Sequence, residues 1–157
     1  MRTEEKIAQL LIKQKKTLAI AESCTGGLLS NRITNIPGSS NFLQVTVVAY
    51  SNQAKIKLLN VDEKDIKKYG AVSHQIAIAM AEGVRNIFKT DFGIGITGIA
   101  GPDGATKKKP VGLVYIAINT PIETLCVKCI FEGKRTTIKS KATTQALRLL
   151  SEFLTGW

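Results

Sequence analysis

Glu22-Ser23-Cys24-Thr25-Gly26-Gly27 follows the short apolar run Thr17 to Ala21 and precedes Leu28, Leu29, Arg32 and Ile33 at helical spacing. It therefore reads as a strand-to-helix turn. Such a turn exposes the first N–H groups of its helix, which favour bound anions and developing negative charge. Gly26 and Gly27 carry no side chain, so a ligand can approach the backbone there. Ser23 stands where a nucleophile would attack and an oxyanion would be received. The alternative is that Ser23 or Thr25 only caps the helix, the commoner use of such residues. Cys24 is a rival nucleophile, because a helix N-terminus stabilises a thiolate. With Glu22 and a lysine it would imitate a Cys–Glu–Lys amidase; the competing reading is a small buried cysteine.

A serine nucleophile needs a base. The chain has one histidine, His74, directly after Ser73, which reads as a helix N-cap. The other option is a lysine held neutral by desolvation, with a tyrosine relaying the proton. Tyr50 and Lys55 span a strand end and the first turn of the following helix. They reach the same sheet edge as Ser23 if the two strands are parallel neighbours. An ordinary lysine, with a pKa of about 10.4, is protonated at neutral pH and useless as a base. The site must lower it, or else Lys55 is a plain surface lysine. The glycine-rich segment Gly98–Gly104 could wrap an anion with main-chain N–H groups. It matches neither the Walker spacing nor a dinucleotide G-x-G-x-x-G turn, and an ordinary tight loop is the alternative. Arg135, in Lys134-Arg135 near the start of the last helix, could add a guanidinium to an anion site, whereas Lys107–Lys109 read as a solvated loop.

Elements that would position these groups follow from periodicity. Ile7, Leu10, Leu11 and Ile12 give residues 4–16 an amphipathic helix. Thr17–Ala21 is a buried strand. Pro37-Gly38-Ser39-Ser40 breaks the chain before a strand in which Val45, Val47 and Ala49 alternate with Thr46, Val48 and Tyr50. Short helices fill 53–59 and 62–68. Ser73 caps a longer helix whose inner face is Ile76, Ala77, Met80, Ala81, Val84, Ile87 and Phe88. Residues 92–97 form a strand, and 111–119 and 122–131 a hairpin about Thr120-Pro121. Cys126 and Cys129 then point to opposite faces of one strand. The last helix aligns Ile138, Ala142, Ala146, Leu149, Leu150 and Phe153. The expectation is an α/β fold: one domain over 1–157, a mixed β-sheet of about five strands flanked by helices on both faces.

Composition sets the outer limits. The 157 residues are 44% hydrophobic and 22% charged, which is ordinary for a globular chain and excludes a disordered one. Three cysteines are an odd number at no paired spacing, so a disulfide framework is not expected and a reducing compartment is. Three cysteines and one histidine make no four-ligand zinc site without carboxylates, and no metal is expected. The N-terminus mixes charges into its apolar positions, unlike a signal peptide, and no run approaches a bilayer span of about 20 apolar residues. A cytoplasmic protein without a membrane partner is the expectation. The net charge is +10, and from Gly104 onward nine basic residues stand against Glu123, Glu132 and Glu152. A positive field attracts nucleic acid, a membrane surface or a phosphorylated small molecule, and charge alone does not choose among them.

Five blocks together narrow the choice: AESCTGG (21–27), PGSS (37–40), YSNQAK (50–55), YGAVS (69–73) and TGIAGPDG (97–104). In this order, along nearly the whole chain from Glu4 to Phe153, they resemble the CinA C-terminal domain family. Stand-alone members of that family are nicotinamide mononucleotide amidohydrolases. The resemblance implies hydrolysis of the carboxamide of nicotinamide mononucleotide to nicotinate mononucleotide and ammonia, without a cofactor. By motif, Ser23 resembles the nucleophile, Lys55 its general base, and Tyr50 an assistant in proton transfer. Cys24 and Ser39 fall in the substrate-binding blocks, and amide and oxyanion contacts fall to Thr25, Gly26 and Gly27. Phosphate or ribose contacts fall to Thr97, Gly98, Ala100, Gly101 and Arg135. The resemblance also implies a homodimer. The larger members carry an added N-terminal pyrophosphatase domain, for which this chain has no room, so only the stand-alone activity is expected. A different class of function is a non-catalytic nucleotide- or nucleic-acid-binding module. Against nucleic acid stand the 6% aromatic content, the lysine-dominated charge and the lack of an arginine-rich helix. Salt-sensitive binding would be its mark.

Overall fold

A computed structural model describes residues 1–156. In chain order the elements are α1 (Thr3–Gln14), β1 (Leu18–Glu22), α2 (Leu28–Thr34), a 3₁₀ turn (Ser39–Asn41), β2 (Leu43–Val48), α3 (Asn52–Leu59), α4 (Glu63–Tyr69), α5 (His74–Phe88), β3 (Phe92–Gly98), β4 (Leu113–Asn119), β5 (Thr124–Ile130) and α6 (Arg135–Thr155). They build one five-stranded mixed sheet, ordered β2-β1-β3-β4-β5. β1 pairs parallel with β2 and β3, and β4 pairs antiparallel with β3 and β5.

β1 is buried along its whole length, as an apolar run between two parallel neighbours must be. β2, at an edge, alternates half-buried with exposed residues. One core, with Ile7, Leu11, Leu18, Ile20, Leu29, Ile94, Ile116, Ile138 and Leu150, lies between the sheet and α1, α2 and α6. The other, with Ala19, Ala21, Leu59, Ile66, Ile76, Met80 and Val84, lies between the sheet and α3, α4 and α5. The helices thus cover both faces, as anticipated. The approach of α5 to the sheet is set by glycine: a methyl on Gly95 would overlap the Ala77 carbonyl, and one on Gly93 the Ala81 carbonyl. Ser73 caps α5 by accepting from Ile76 N at 3.3 Å.

Two parts of the anticipated apolar faces meet water: Ile12 of α1, 45% exposed, and the end of α5. Ile87 and Phe88 are 44% and 59% exposed rather than inward. They occupy the last turn of α5, which ends where β3 begins, so no sheet lies beneath them. The hairpin and the opposite orientation of its cysteines stand as anticipated: Cys126 Sγ lies 4.0 Å from His74 O on the α5 side, while Cys129 packs on the core beneath α6.

Candidate active site

β1, β2 and β3 run in one direction, and β5 shares it because two antiparallel steps separate it from β3. Their carboxyl ends therefore meet at one sheet edge. Ser23 follows β1, Tyr50 follows β2, residues 99–104 follow β3 and Arg135 follows β5. Between β1 and β3 the chain order reverses direction across the sheet, the place where open α/β sheets form a crevice. A cavity of about 300 Å³ opens there, lined by Ser23, Cys24, Tyr50, Asn52, Lys55, Ala71, Val72, Thr97, Gly98, Ile99, Ala100, Gly101, Asp103, Gly104 and Arg135.

Lys55 is delivered by α3. Ser51 caps that helix, accepting from Ala54 N at 3.0 Å, and Lys55 and Leu59 then fall on its inward face. Lys55 is 2% exposed. Its Nζ lies 3.0 Å from Ser23 Oγ and 3.0 Å from Ala49 O. Among the described residues no carboxylate pairs with it within 4.0 Å. Burial therefore lowers its pKa below the usual lysine value, since desolvation penalises the ammonium. The Lys55 Nζ–H groups donate to Ala49 O and Ser23 Oγ, and a lowered pKa makes the free amine, whose lone pair could instead accept the Ser23 proton, easier to reach.

Ser23 is held by its own amide, which donates to Ile96 O at 3.1 Å across β1 and β3. Below it, the wholly buried Glu22 organises the turn. Its carboxylate accepts from Thr25 Oγ1 at 2.5 Å, Leu29 N at 2.9 Å, Ser30 N at 2.9 Å and Ser30 Oγ at 2.6 Å. An acidic group is favourable at this first turn of α2. Cys24 lines the cavity but is buried, and burial pushes its thiol up to about 12. That leaves it protonated and argues against the thiolate alternative.

Arg135 and Tyr50 close the rim. Arg135 Nη1 donates to Gly101 O at 2.6 Å and Nη2 to Tyr50 Oη at 2.9 Å, tying the start of α6 to both loops. The Tyr50 hydroxyl is thus engaged with Arg135, not with Ser23 or Lys55. Thr97 gives its hydroxyl to Ala71 O at 2.8 Å and braces the cavity wall.

Of the anticipated site residues, Ser23, Cys24, Tyr50, Lys55, Thr97, Gly98, Ala100, Gly101 and Arg135 line this cavity. Four stand apart from its lining. Thr25 is wholly buried with its hydroxyl on Glu22, and Gly26 N is committed to Ser23 O at 3.0 Å. Gly27 faces Val48. Ser39 precedes β2, so the parallel register of β2 with β1 puts it at the opposite sheet edge. His74 is absent from the lining too. Two polar lining residues had no assigned role: Asn52, one helical turn before Lys55, and Asp103 in the glycine-rich loop. Among the described residues no group of three or more His, Cys, Asp or Glu could hold a metal ion, and no helix is long and apolar enough to cross a membrane.

The same fold recurs in known proteins. A competence damage-inducible protein A of Klebsiella pneumoniae superposes with a TM-score of 0.95 at 32% identity, covering 99% of this chain and 96% of that one. A competence/damage inducible protein of Agrobacterium tumefaciens gives 0.90 at 34% identity, covering 99% and 97%. A CinA-like protein of Dictyoglomus thermophilum is 49% identical over 147 residues, which are 94% of this chain and 36% of that protein. The chain spans little more than a third of such relatives; for one in Desulforudis audaxviator the share is 37%. Residues 1–154 match the family model described as the CinA C-terminal domain, and the chain belongs to that family.

Proposed function

We propose that this chain is an amidohydrolase that converts nicotinamide mononucleotide and water to nicotinate mononucleotide and ammonia. The observation that carries the reading is the buried 3.0 Å contact between Ser23 Oγ and Lys55 Nζ, made by a lysine whose pKa burial lowers. In the proposed reaction, neutral Lys55 takes the Ser23 proton as Oγ bonds to the carboxamide carbon. The resulting ammonium returns that proton to the nitrogen as the C–N bond breaks and ammonia leaves. Water then attacks the acyl-serine carbon, Lys55 taking its proton and passing it to Ser23 Oγ as the C–Oγ bond breaks, which frees the acid and the serine. Tyr50, whose hydroxyl accepts from Arg135 at 2.9 Å, would assist this transfer only after turning from that guanidinium toward the bound substrate.

A phosphorylated ligand is supported by the charge of the chain as a whole: with Lys55 neutral, Arg135 balances the carboxylate of Asp103 in the lining, and the net charge of +10 supplies the positive field. Incubation with nicotinamide mononucleotide, followed by ammonia detection and chromatography of the product, tests the reading. Release of both products, abolished in Ser23→Ala and Lys55→Ala, is expected. No release by the unaltered chain overturns it.

A further inference from the structure

Lys139 follows Arg135 by four residues on α6, a rise of about 6 Å that puts both on one helix face. It is half-buried. Its Nζ stands 3.6 Å from the point a methyl on Gly26 would occupy, beside the turn that carries Ser23 and Cys24. Among the described residues neither Lys139 nor Arg135 has a carboxylate within 4.0 Å, and Lys139 has no hydrogen-bond partner there. An ammonium drawn partly out of water without a counter-ion is unfavourable until an anion joins it.

We propose that Lys139 and Arg135 together seat the terminal phosphate of a mononucleotide at the mouth of the cavity. Arg135 is held in place by Gly101 O and Tyr50 Oη, with further N–H groups left for phosphate oxygens. Two cations one helical turn apart suit a group of about two negative charges and three acceptor oxygens better than a carboxylate. Gly26, in the left-handed conformation at φ +61°, turns the chain beneath the ammonium. The proposal deepens the amidohydrolase reading, which supplies the identity of the nucleotide.

The test is calorimetric titration of Ser23→Ala protein, which prevents turnover, with nicotinamide mononucleotide, nicotinamide riboside and inorganic phosphate. Adding Lys139→Gln is expected to weaken the mononucleotide about tenfold or more and to abolish phosphate binding, with riboside affinity changed by less than about twofold. Lys139→Arg, which keeps the charge, is expected to retain mononucleotide affinity within about threefold. Equal weakening of mononucleotide and riboside overturns the proposal, as does unchanged mononucleotide affinity in Lys139→Gln. If the affinities follow the expected pattern but the native chain releases no ammonia, the phosphate seat stands and the amidase reading alone falls.

Discussion

Ser23 Oγ and Lys55 Nζ lie 3.0 Å apart in the buried floor of the cavity, although 32 positions separate them in the chain. The contact depends on two turns at one sheet edge: the one after β1 presents the hydroxyl, and the one after β2 starts the helix that carries the amine. With no carboxylate at hand to hold the ammonium, burial shifts Lys55 toward the free amine that the proposed reaction needs.

Activity should therefore rise with pH and level off above the lowered Lys55 pKa, since only the free amine can accept the proton. Lys55→Ala should lower kcat by about 10²–10⁴ and remove that acidic limb. An unchanged limb in the variant, read from pH–rate profiles, would sink the base assignment.

Stability carries the same signature. The unfolded chain binds the Lys55 proton up to about 10.5, whereas the folded chain releases it at lower pH. Between the two values the unfolded state holds more protons, so stability climbs with pH across that interval. Lys55→Met should flatten the climb. Denaturant midpoints from pH 7 to 10 in both proteins measure it, and equal slopes would mean the folded chain keeps this lysine charged.

With its thiol pushed up to about 12, Cys24 is roughly one part in 10⁴ thiolate at pH 8. Iodoacetamide should leave activity intact, and Cys24→Ser should stay within about tenfold of the native rate, whereas Ser23→Ala should lose about 10³-fold or more. The reverse ranking would transfer the nucleophile to sulfur.

Tyr50→Phe separates two contributions of one hydroxyl. Loss of the 2.9 Å bond to Arg135 frees the guanidinium and should raise KM about three- to tenfold through looser substrate positioning. A hydroxyl that also relays a proton should take kcat down by about 10². Steady-state kinetics that left both parameters unmoved would remove Tyr50 from the reaction.

Glu22→Gln turns an NH₂ toward groups that already donate: Leu29 N, Ser30 N and the hydroxyls of Thr25 and Ser30. The expected cost is about 2–4 kcal/mol, which for a chain of this size lowers Tm by about 4–15 °C in a thermal melt. A melt within about 2 °C of native would show that the turn does not depend on the carboxylate.

Much of this arrangement was readable in the residues, and its gaps have physical causes. The apolar run before Glu22, the Ser73 cap and the hairpin about Pro121 are local signals, and each element lies where those signals put it. Ile87 and Phe88 continue the apolar stripe of α5, but periodicity gives the direction of a face and not the extent of the layer beneath it. Ser39 sits in a glycine-bearing turn that looks like the turn at Gly26; only the parallel register of β1 and β2 sends it to the far edge. The spacing to Tyr50 singles out Lys55, and its place four residues before the buried Leu59 carries the stronger hint. The resemblance gives Thr25 an amide or oxyanion contact, and the sequence does not show that its hydroxyl donates to Glu22.

Because each reactive or rim segment leaves a strand at the same end of the sheet, the scaffold separates two kinds of evolutionary freedom. Substitutions among residues 99–104 or at the start of α6 can retune which molecule is accepted while the paired strands stay unaltered. Inside the layers that freedom disappears: where α5 rests on Gly93 and Gly95, even one added methyl would push a helix off its bed. Changes in what this cavity accepts should therefore come through its loops, with the Ser23–Lys55 floor left in place.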